Sequence, residues 1–337
     1  MTLRLSHKSI AITDRSSIGE ARRFALQVAK DLGFNESRCN DIAIVATEMA
    51  TNTFVHAERG ELLICPSTQK GTIWLDLLAI DSGPGILDIA SAMEDGFSTR
   101  GTAGQGLGAI RRLSNETSLY SIPLKGTVHW SRFVNGQTLP MLNVGILNVP
   151  VHGETRCGDG VLIENGPSRS LYIVVDGLGH GDEAAEAADE AIATVSRFSH
   201  ESLTEMISRS HDALRKTRGA AMSIAAVDHD RSIVTYAGIG NIGASLITGS
   251  SSRSLMCQNG TVGAVMPRSP QEYTYPITQN TTLLMFSDGL STKTSIAGYP
   301  GLHNRHPALI AGVAYRDFAK KRDDATVLFA PIGGNVS

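Results

Sequence analysis

Four carboxylate positions in the second half of the chain share one setting. Asp159, in RCGDGVLI, stands just before an apolar run, and Asp176, in YIVVDGLGHG, ends one. Asp288, in LLMFSDGLST, ends another, and Asp323 and Asp324, in KKRDDATVLFA, precede the last. Carboxylates gathered at one rim repel unless a cation sits between them. Hard oxygen donors suit Mg²⁺ or Mn²⁺. One Asp-Gly pair at a strand end is an ordinary turn signal; four edge positions in this order point to a metal site.

The first half carries a different set. Glu48 and Asn52 lie in IAIVATEMATNTFVHA, four residues apart and so on one helix face. A carboxylate and an amide on a mostly buried helix need partners, which a polar helix–helix contact would also supply. Asp81 ends an apolar run in AIDSGPGI and is followed by Gly83 and Gly85. Gly101, Gly104, Gly106 and Gly108 lead into a helix in GTAGQGLGAIRRL. Glycines let backbone N–H groups approach phosphates at a helix N-terminus. Each signal alone is weak; in this order the three indicate a nucleotide site.

These residues need elements to carry them. An alternating segment around Leu3–Ile12 reads as a strand. Ser16 or Ser17 is expected to cap a helix running to about Leu32, stopped by Gly33, and Asn35 to cap a second. Strands are expected near 62–65, 72–80, 117–122 and 127–133, with a helix through Leu113. The polar stretch NGQTLPMLN, Asn135–Asn143, reads as a linker. The domains are therefore placed at 1–134 and 144–332, with the linker at 135–143. In the second half, strands are expected near 144–149, 161–164, 171–175, 222–227, 232–237, 244–247, 254–256, 282–286 and 325–330. Helices fit 182–197, 203–216 and 307–320. Strands with helices between them imply an α/β sandwich. The fold class is α+β in two domains.

Composition narrows the chemistry. The 337 residues suggest two domains and are 42% hydrophobic, enough for packed cores. Thirty basic and 33 acidic residues give a net charge of −3, so no basic excess favours nucleic acid or an anionic membrane. Aromatics are 5%, too few for base-stacking platforms. The four cysteines, Cys39, Cys65, Cys157 and Cys257, form no C-x-x-C pair, a pattern of reducing compartments. No signal-peptide stretch opens the sequence and no run nears about 18 apolar residues. A cytoplasmic location is expected, with no nucleic-acid or membrane partner.

The first-half motifs resemble the GHKL ATP-binding fold of histidine kinases, gyrase-type ATPases and anti-sigma-factor kinases. The resemblance implies that Asn52 holds Mg²⁺, Glu48 is the general base and Asp81, with Gly83 and Gly85, binds adenine. Gly104, Gly106 and Gly108 would cover the phosphates, and Gly126 and Thr127, in KGTVHWSRF, match a late G-T element near the adenine. GFSTRGTAGQGLGAIRRL looks most like the RsbT branch of serine kinases, which phosphorylate a serine on a small STAS-domain protein. Glu48 would then accept the serine proton and Mg²⁺ on Asn52 would neutralise phosphate charge.

The second-half order G-D-G, D-G-x-G-H-G, S-D-G, R-D-D-x-T resembles the PPM metal-dependent serine/threonine phosphatases, in their SpoIIE/RsbX branch, over roughly 144–331. YAGIGNIGA and GAVMP resemble that branch too. The resemblance implies an α-β-β-α sandwich with two Mn²⁺ or Mg²⁺. Asp176 would bridge the ions and the Gly177 carbonyl would ligate one. Asp288 and Asp323 would complete the second, and Asp159 would act mainly through water. The family pattern favours Asp323 over Asp324. His180 lies four residues after Asp176, so the general-acid role known in eukaryotic relatives is not carried over.

Together the resemblances imply a partner-switching regulator: a phosphoserine/phosphothreonine phosphatase fused to an ATP-binding, kinase-like domain. It would act on STAS-domain phosphoproteins or anti-sigma and antagonist proteins. The alternative is a phosphatase whose first domain only binds a partner in a nucleotide-dependent way. A homodimer stays open.

Overall fold

A computed structural model describes residues 7–57, 59–69, 71–89, 106–136 and 143–333. They form two compact units, one starting at His7 and the other at Asn143.

In the first unit, Asp14 rather than Ser16 or Ser17 caps helix α1 (Arg15–Asp31). Its Oδ1 accepts the Ser16 and Ser17 N–H groups at 2.7 and 3.0 Å. The serines supply the orphan donors of the first turn instead of accepting them. Asn35 does cap α2 (Glu36–Ala57), accepting Arg38 N–H at 2.9 Å. Strands β1 (Lys8–Ile12), β2 (Gly60–Gln69), β3 (Thr72–Asp81), β4 (Glu116–Ile122) and β5 (Gly126–Asn135) make one antiparallel sheet, ordered β1-β2-β3-β5-β4. Helix α3 (Gly106–Leu113) lies between β3 and β4 in sequence. One sheet face, with Ile10, Leu62, Leu75, Leu77 and Phe133, packs on the alanine-rich face of α1 and on Ile42, Val45 and Met49 of α2. Asn135 is the last residue of β5, and its Nδ2 donates to Leu32 O at 3.1 Å, so it belongs to the first unit and not to a linker.

The second unit stacks two five-stranded sheets. One runs β13-β10-β9-β8-β7 and the other β12-β11-β14-β15-β6. Their strands are β6 (Gly145–Val149), β7 (Asp159–Asn165), β8 (Arg169–Gly177), β9 (Ala220–Asp228), β10 (Ile233–Ile239), β11 (Gly243–Thr248), β12 (Ser251–Ser254), β13 (Tyr273–Pro276), β14 (Thr281–Phe286) and β15 (Ala325–Pro331). Helices α4 (Asp182–Arg197) and α5 (Leu203–Ala213) cover the first sheet, burying Ala188, Ala191, Val195 and Met206 on Leu162, Ile173 and Val175. The alternate residues Val161, Ile163, Tyr172 and Val174 are also buried, as a sheet covered on both faces requires. Helix α6 (Pro307–Phe318) covers the second sheet. It approaches so closely that a Cβ on Gly145 would lie 2.0 Å from Pro307 O. This is the expected α-β-β-α sandwich. The strand expected at 254–256 is displaced to Ser251–Ser254, a fully exposed edge, and β13 was not foreseen. Among the described residues no helix is long and apolar enough to cross a membrane.

Candidate functional site

The sandwich brings the four carboxylate positions of the second half together. Asp159, at the start of β7, stands directly opposite Asp176, near the end of β8. Asp288 follows β14, and its N–H donates to the Asp176 carboxylate. Asp323 sits two residues before β15. Asp176, Asp288 and Asp323 line one cleft of about 340 Å³, with Asn241, Asn259 and Thr261 from facing turns.

The glycines after these aspartates do more than turn the chain. A Cβ on Gly177 would lie 2.2 Å from Ala184 O, and one on Gly289 would lie 1.8 Å from Asp324 O. Gly177 N–H donates to Gly158 O at 3.1 Å. Asp176-Gly177 and Asp288-Gly289 thus carry their carboxylates on backbone pressed against backbone, which leaves room only for hydrogen at the α-carbon.

Carboxylates crowd this cleft, and hydrogen bonds offset only part of their burial. Burial raises the Asp176 pKa to about 7, helped by the Asp288, Asp323 and Asp324 carboxylates. Burial also pushes Asp159 well above the usual carboxylate range, and the facing Asp176 adds to it, against hydrogen bonds from Ser287 and Thr326. Asp159 Oδ2 is buried with no hydrogen-bond partner. An orphaned acceptor among acidic neighbours is a place for a cation or for water held by one. Among the described residues no three carboxylate, imidazole or thiolate side chains already converge on one point. The donor set fits hexacoordinate ions that keep waters and take one or two carboxylates each.

Asp324 has another task. It is 2% exposed, and its two oxygens accept the N–H groups of Val151 and Gly158 at 2.7 Å each. It braces two loops while Asp323, half-buried, faces the cleft. His180 is exposed and pairs with Glu154 at 2.8 Å, before the Gly181 cap of α4. Asn241 is a site residue that sequence reasoning missed: its Nδ2 donates to Asp288 Oδ2 at 2.8 Å. The signal was the GIGNIGA turn, quoted only as a resemblance.

In the first unit, Glu48 and Asn52 meet the start of α3. A Cβ on Gly106 would lie 2.7 Å from Glu48 Oε2 and 3.8 Å from Asn52 Oδ1. Gly108 is buried within α3. Gly104 and Gly101 lie outside the described residues. At the end of β3, Asp81 Oδ1 accepts Gly83 N–H at 2.8 Å and Thr127 N–H at 3.2 Å. Gly83 lies against Ala57, the last residue of α2, with a built Cβ 2.5 Å from the Ala57 Cβ. Gly85, at φ +73°, presses on Ile122 O, and Gly126, at φ +97°, on Asp81 O. Only glycine fits these last two positions, since both the φ and the space exclude a side chain.

Comparison with known proteins follows the same division. Residues 12–129 match the histidine kinase-like ATPase domain, and residues 166–331 match the stage II sporulation protein E family. The serine/threonine-protein kinase RsbT of Bacillus subtilis (strain 168) is 38% identical over 127 residues, spanning 36% of this chain and 96% of RsbT. The phosphoserine phosphatase RsbX of the same organism is 29% identical over 90 residues, spanning 27% of this chain and 45% of RsbX. A solved structure from work on the bacterial stressosome, a modular system adapted to control secondary messenger signalling, superposes with a TM-score of 0.52 at 26% identity. It covers 56% of this chain and 97% of its own. The chain therefore belongs to the RsbT-like histidine kinase-like ATPases through its first unit, and its second unit is similar to the stage II sporulation protein E family and spans about half the length of RsbX.

Proposed function

We propose that the second unit hydrolyses phosphoserine or phosphothreonine on a partner protein, and that the first unit binds ATP with Mg²⁺ and phosphorylates a serine of such a partner. The domains are taken as 1–134 and 144–332, adjusted by the inclusion of Asn135 in the first. The partners that fit are STAS-domain phosphoproteins or anti-sigma and antagonist proteins, as the likeness to RsbT and RsbX suggests.

The observation that carries the phosphatase reading is the crowding of carboxylates around Asp159 and Asp176, with Asp159 Oδ2 buried and unpartnered. Asp176 would hold both divalent ions, with the Gly177 carbonyl on one and Asp288 and Asp323 on the other; Asp159 would hold bound water. Mn²⁺ or Mg²⁺, when bound, supplies an acidified water and neutralises charge on the phosphate. The chain's own part is to keep these donors rigid and close, through the backbone contacts of Gly177 and Gly289. Mn²⁺-dependent release of phosphate from a phosphoserine STAS protein tests this. Turnover lost in Asp176→Asn is expected; no turnover with either metal would defeat the reading.

For the first unit, what supports nucleotide binding is the span along α2. Glu48 and Asn52 meet Gly106, and nine residues on, about 14 Å at about 1.5 Å per residue, Ala57 meets Gly83 beside Asp81. A nucleoside triphosphate laid along that helix would place its base by Asp81, Gly83, Gly85 and Thr127, and its phosphates by Gly104, Gly106 and Gly108. Asn52 would hold Mg²⁺, and Glu48 would take the serine proton. Transfer from labelled ATP to a STAS partner, lost in Glu48→Gln, is the expected result. ATP-dependent complex formation without transfer would favour a binding module instead.

A further inference from the structure

We propose that Asn241 is the positioning residue for Asp288, setting the direction in which that carboxylate meets a divalent cation. The inference rests on the metal-phosphatase reading above and adds a residue to which the sequence motifs gave no role.

Asp288 is held by its backbone from two sides. Its carbonyl accepts the Lys320 ammonium, and its N–H donates to the Asp176 carboxylate. What remains loose is rotation of its side chain. That carboxylate stands close enough to Asp176 to press on its charge, and Asp323 lines the same cleft. Left alone, it would swing away from like charge toward solvent. Asn241 Nδ2 takes Oδ2 at 2.8 Å and removes that freedom.

Asn241 is well built for the task. Its side chain is exposed, so an amide there has water to bond and no need of a protein partner. Its backbone, by contrast, is pinned on both sides. Gly240 has φ +104°, a Cβ on it would lie 2.5 Å from the Ala221 Cβ, and its N–H donates to Gln258 O at 2.8 Å. Ile242 is buried at 3% exposure. A rigid turn presenting one donor to one carboxylate oxygen is the arrangement by which outer residues orient metal ligands. An amide suits the place because it donates without adding charge; a lysine there would compete with the cation.

The test is Mn²⁺ binding to the full chain by calorimetric titration, with wild type, Asn241→Ala and Asn259→Ala. Asn259 lines the same cleft but bonds no carboxylate among the described residues. Asn241→Ala is expected to weaken Mn²⁺ binding by about 10–100-fold, the usual effect of losing such a partner, while its metal-free unfolding midpoint stays at the wild-type value. Asn259→Ala is expected to bind as wild type does. Phosphatase turnover of Asn241→Ala should return when Mn²⁺ is raised to saturation. Three results would overturn the proposal: Mn²⁺ binding in Asn241→Ala equal to wild type, an equal loss in Asn259→Ala, or turnover that stays lost at saturating Mn²⁺. The last would mean that Asn241 acts on substrate. If Asn241→Ala unfolds early, Asn241→Ser replaces it, with a side chain too short to reach Asp288 and the same expected loss. Wild type that binds no Mn²⁺ would instead defeat the metal reading itself.

Discussion

Asp323 and Asp324 are neighbours of one chemical type with opposite assignments, so exchanging each for asparagine tests the reasoning directly. Asp324 gives one oxygen to Val151 N–H and the other to Gly158 N–H, both at 2.7 Å, in a nearly closed site. Asparagine keeps one acceptor. The second N–H then faces an amide NH₂ and loses its partner, at about 1–3 kcal/mol for a buried donor. The surviving bond loses its charge assistance, about 1 kcal/mol more. The sum is about 3 kcal/mol. At about 2–4 °C per kcal/mol for a unit of this size, the midpoint falls by about 9 °C.

Asp323→Asn is different. Its Oδ1 accepts Asp324 N–H at 3.0 Å, and an asparagine oxygen can still do so. The substitution also removes a like charge that presses on both Asp176 and Asp324. Its midpoint should stay or rise, while Mn²⁺ binding weakens at least about tenfold. Calorimetric scans of the full chain in EDTA, with parallel Mn²⁺ titrations, measure both. An equal fall in midpoint for the two variants would refute the division of labour. So would an unchanged midpoint in Asp324→Asn with Mn²⁺ binding lost.

Further expectations follow from the same contacts. Burial and neighbouring carboxylates raise Asp176 to about 7 from an ordinary 3.8. The native state then holds a proton that the unfolded state has released, so metal-free stability should fall as pH rises from about 4 to about 7. Asp176→Asn should flatten that slope in thermal scans in EDTA, and added Mn²⁺ should offset it most at the high end; a slope unchanged by the substitution would contradict the burial argument. Gly289→Ala places a Cβ 1.8 Å from a backbone oxygen and should cost more than about 3 kcal/mol; a urea midpoint equal to wild type would show that the loop yields freely. In the first unit, Arg132 forms a buried bidentate pair with Asp76, 2.8 Å at each contact, beside the Trp74 and Trp130 rings. Arg132→Met should destabilise that unit by about 3–5 kcal/mol by leaving Asp76 buried and alone, and restoring stability with Asp76→Leu in the double variant would identify the lone charge as the cause.

What was legible in the sequence was whatever repeats a local rule. Helix α4 is bounded at Asp182 and Arg197 as read, because its alanines recur at helical spacing after a glycine stop. The aspartates before and after apolar runs marked strand ends, and the sandwich gathers those ends at one rim. What was not legible depends on partners far along the chain. SSRS at 251–254 has no alternation to announce a strand; it is one because the edge of β11 offers it a ladder. YTYP at 273–276 pairs with β10 in the same way, its proline at the strand end. Nothing local distinguishes Asp14 from Ser16 as the better cap, since either can accept a first-turn N–H.

The same limit applies to Asp323 and Asp324, side by side and of one residue type, between which only the resemblance chose. Only long-range donors, the N–H groups of Val151 and Gly158, commit Asp324 to the scaffold and leave Asp323 to the cleft. Asn241 extends the point. Its partner Asp288 is 47 residues away, so a motif naming the aspartates could not name the amide that aims one of them. Local patterns therefore marked the candidate groups, and the distant contacts that orient those groups had to come from the fold.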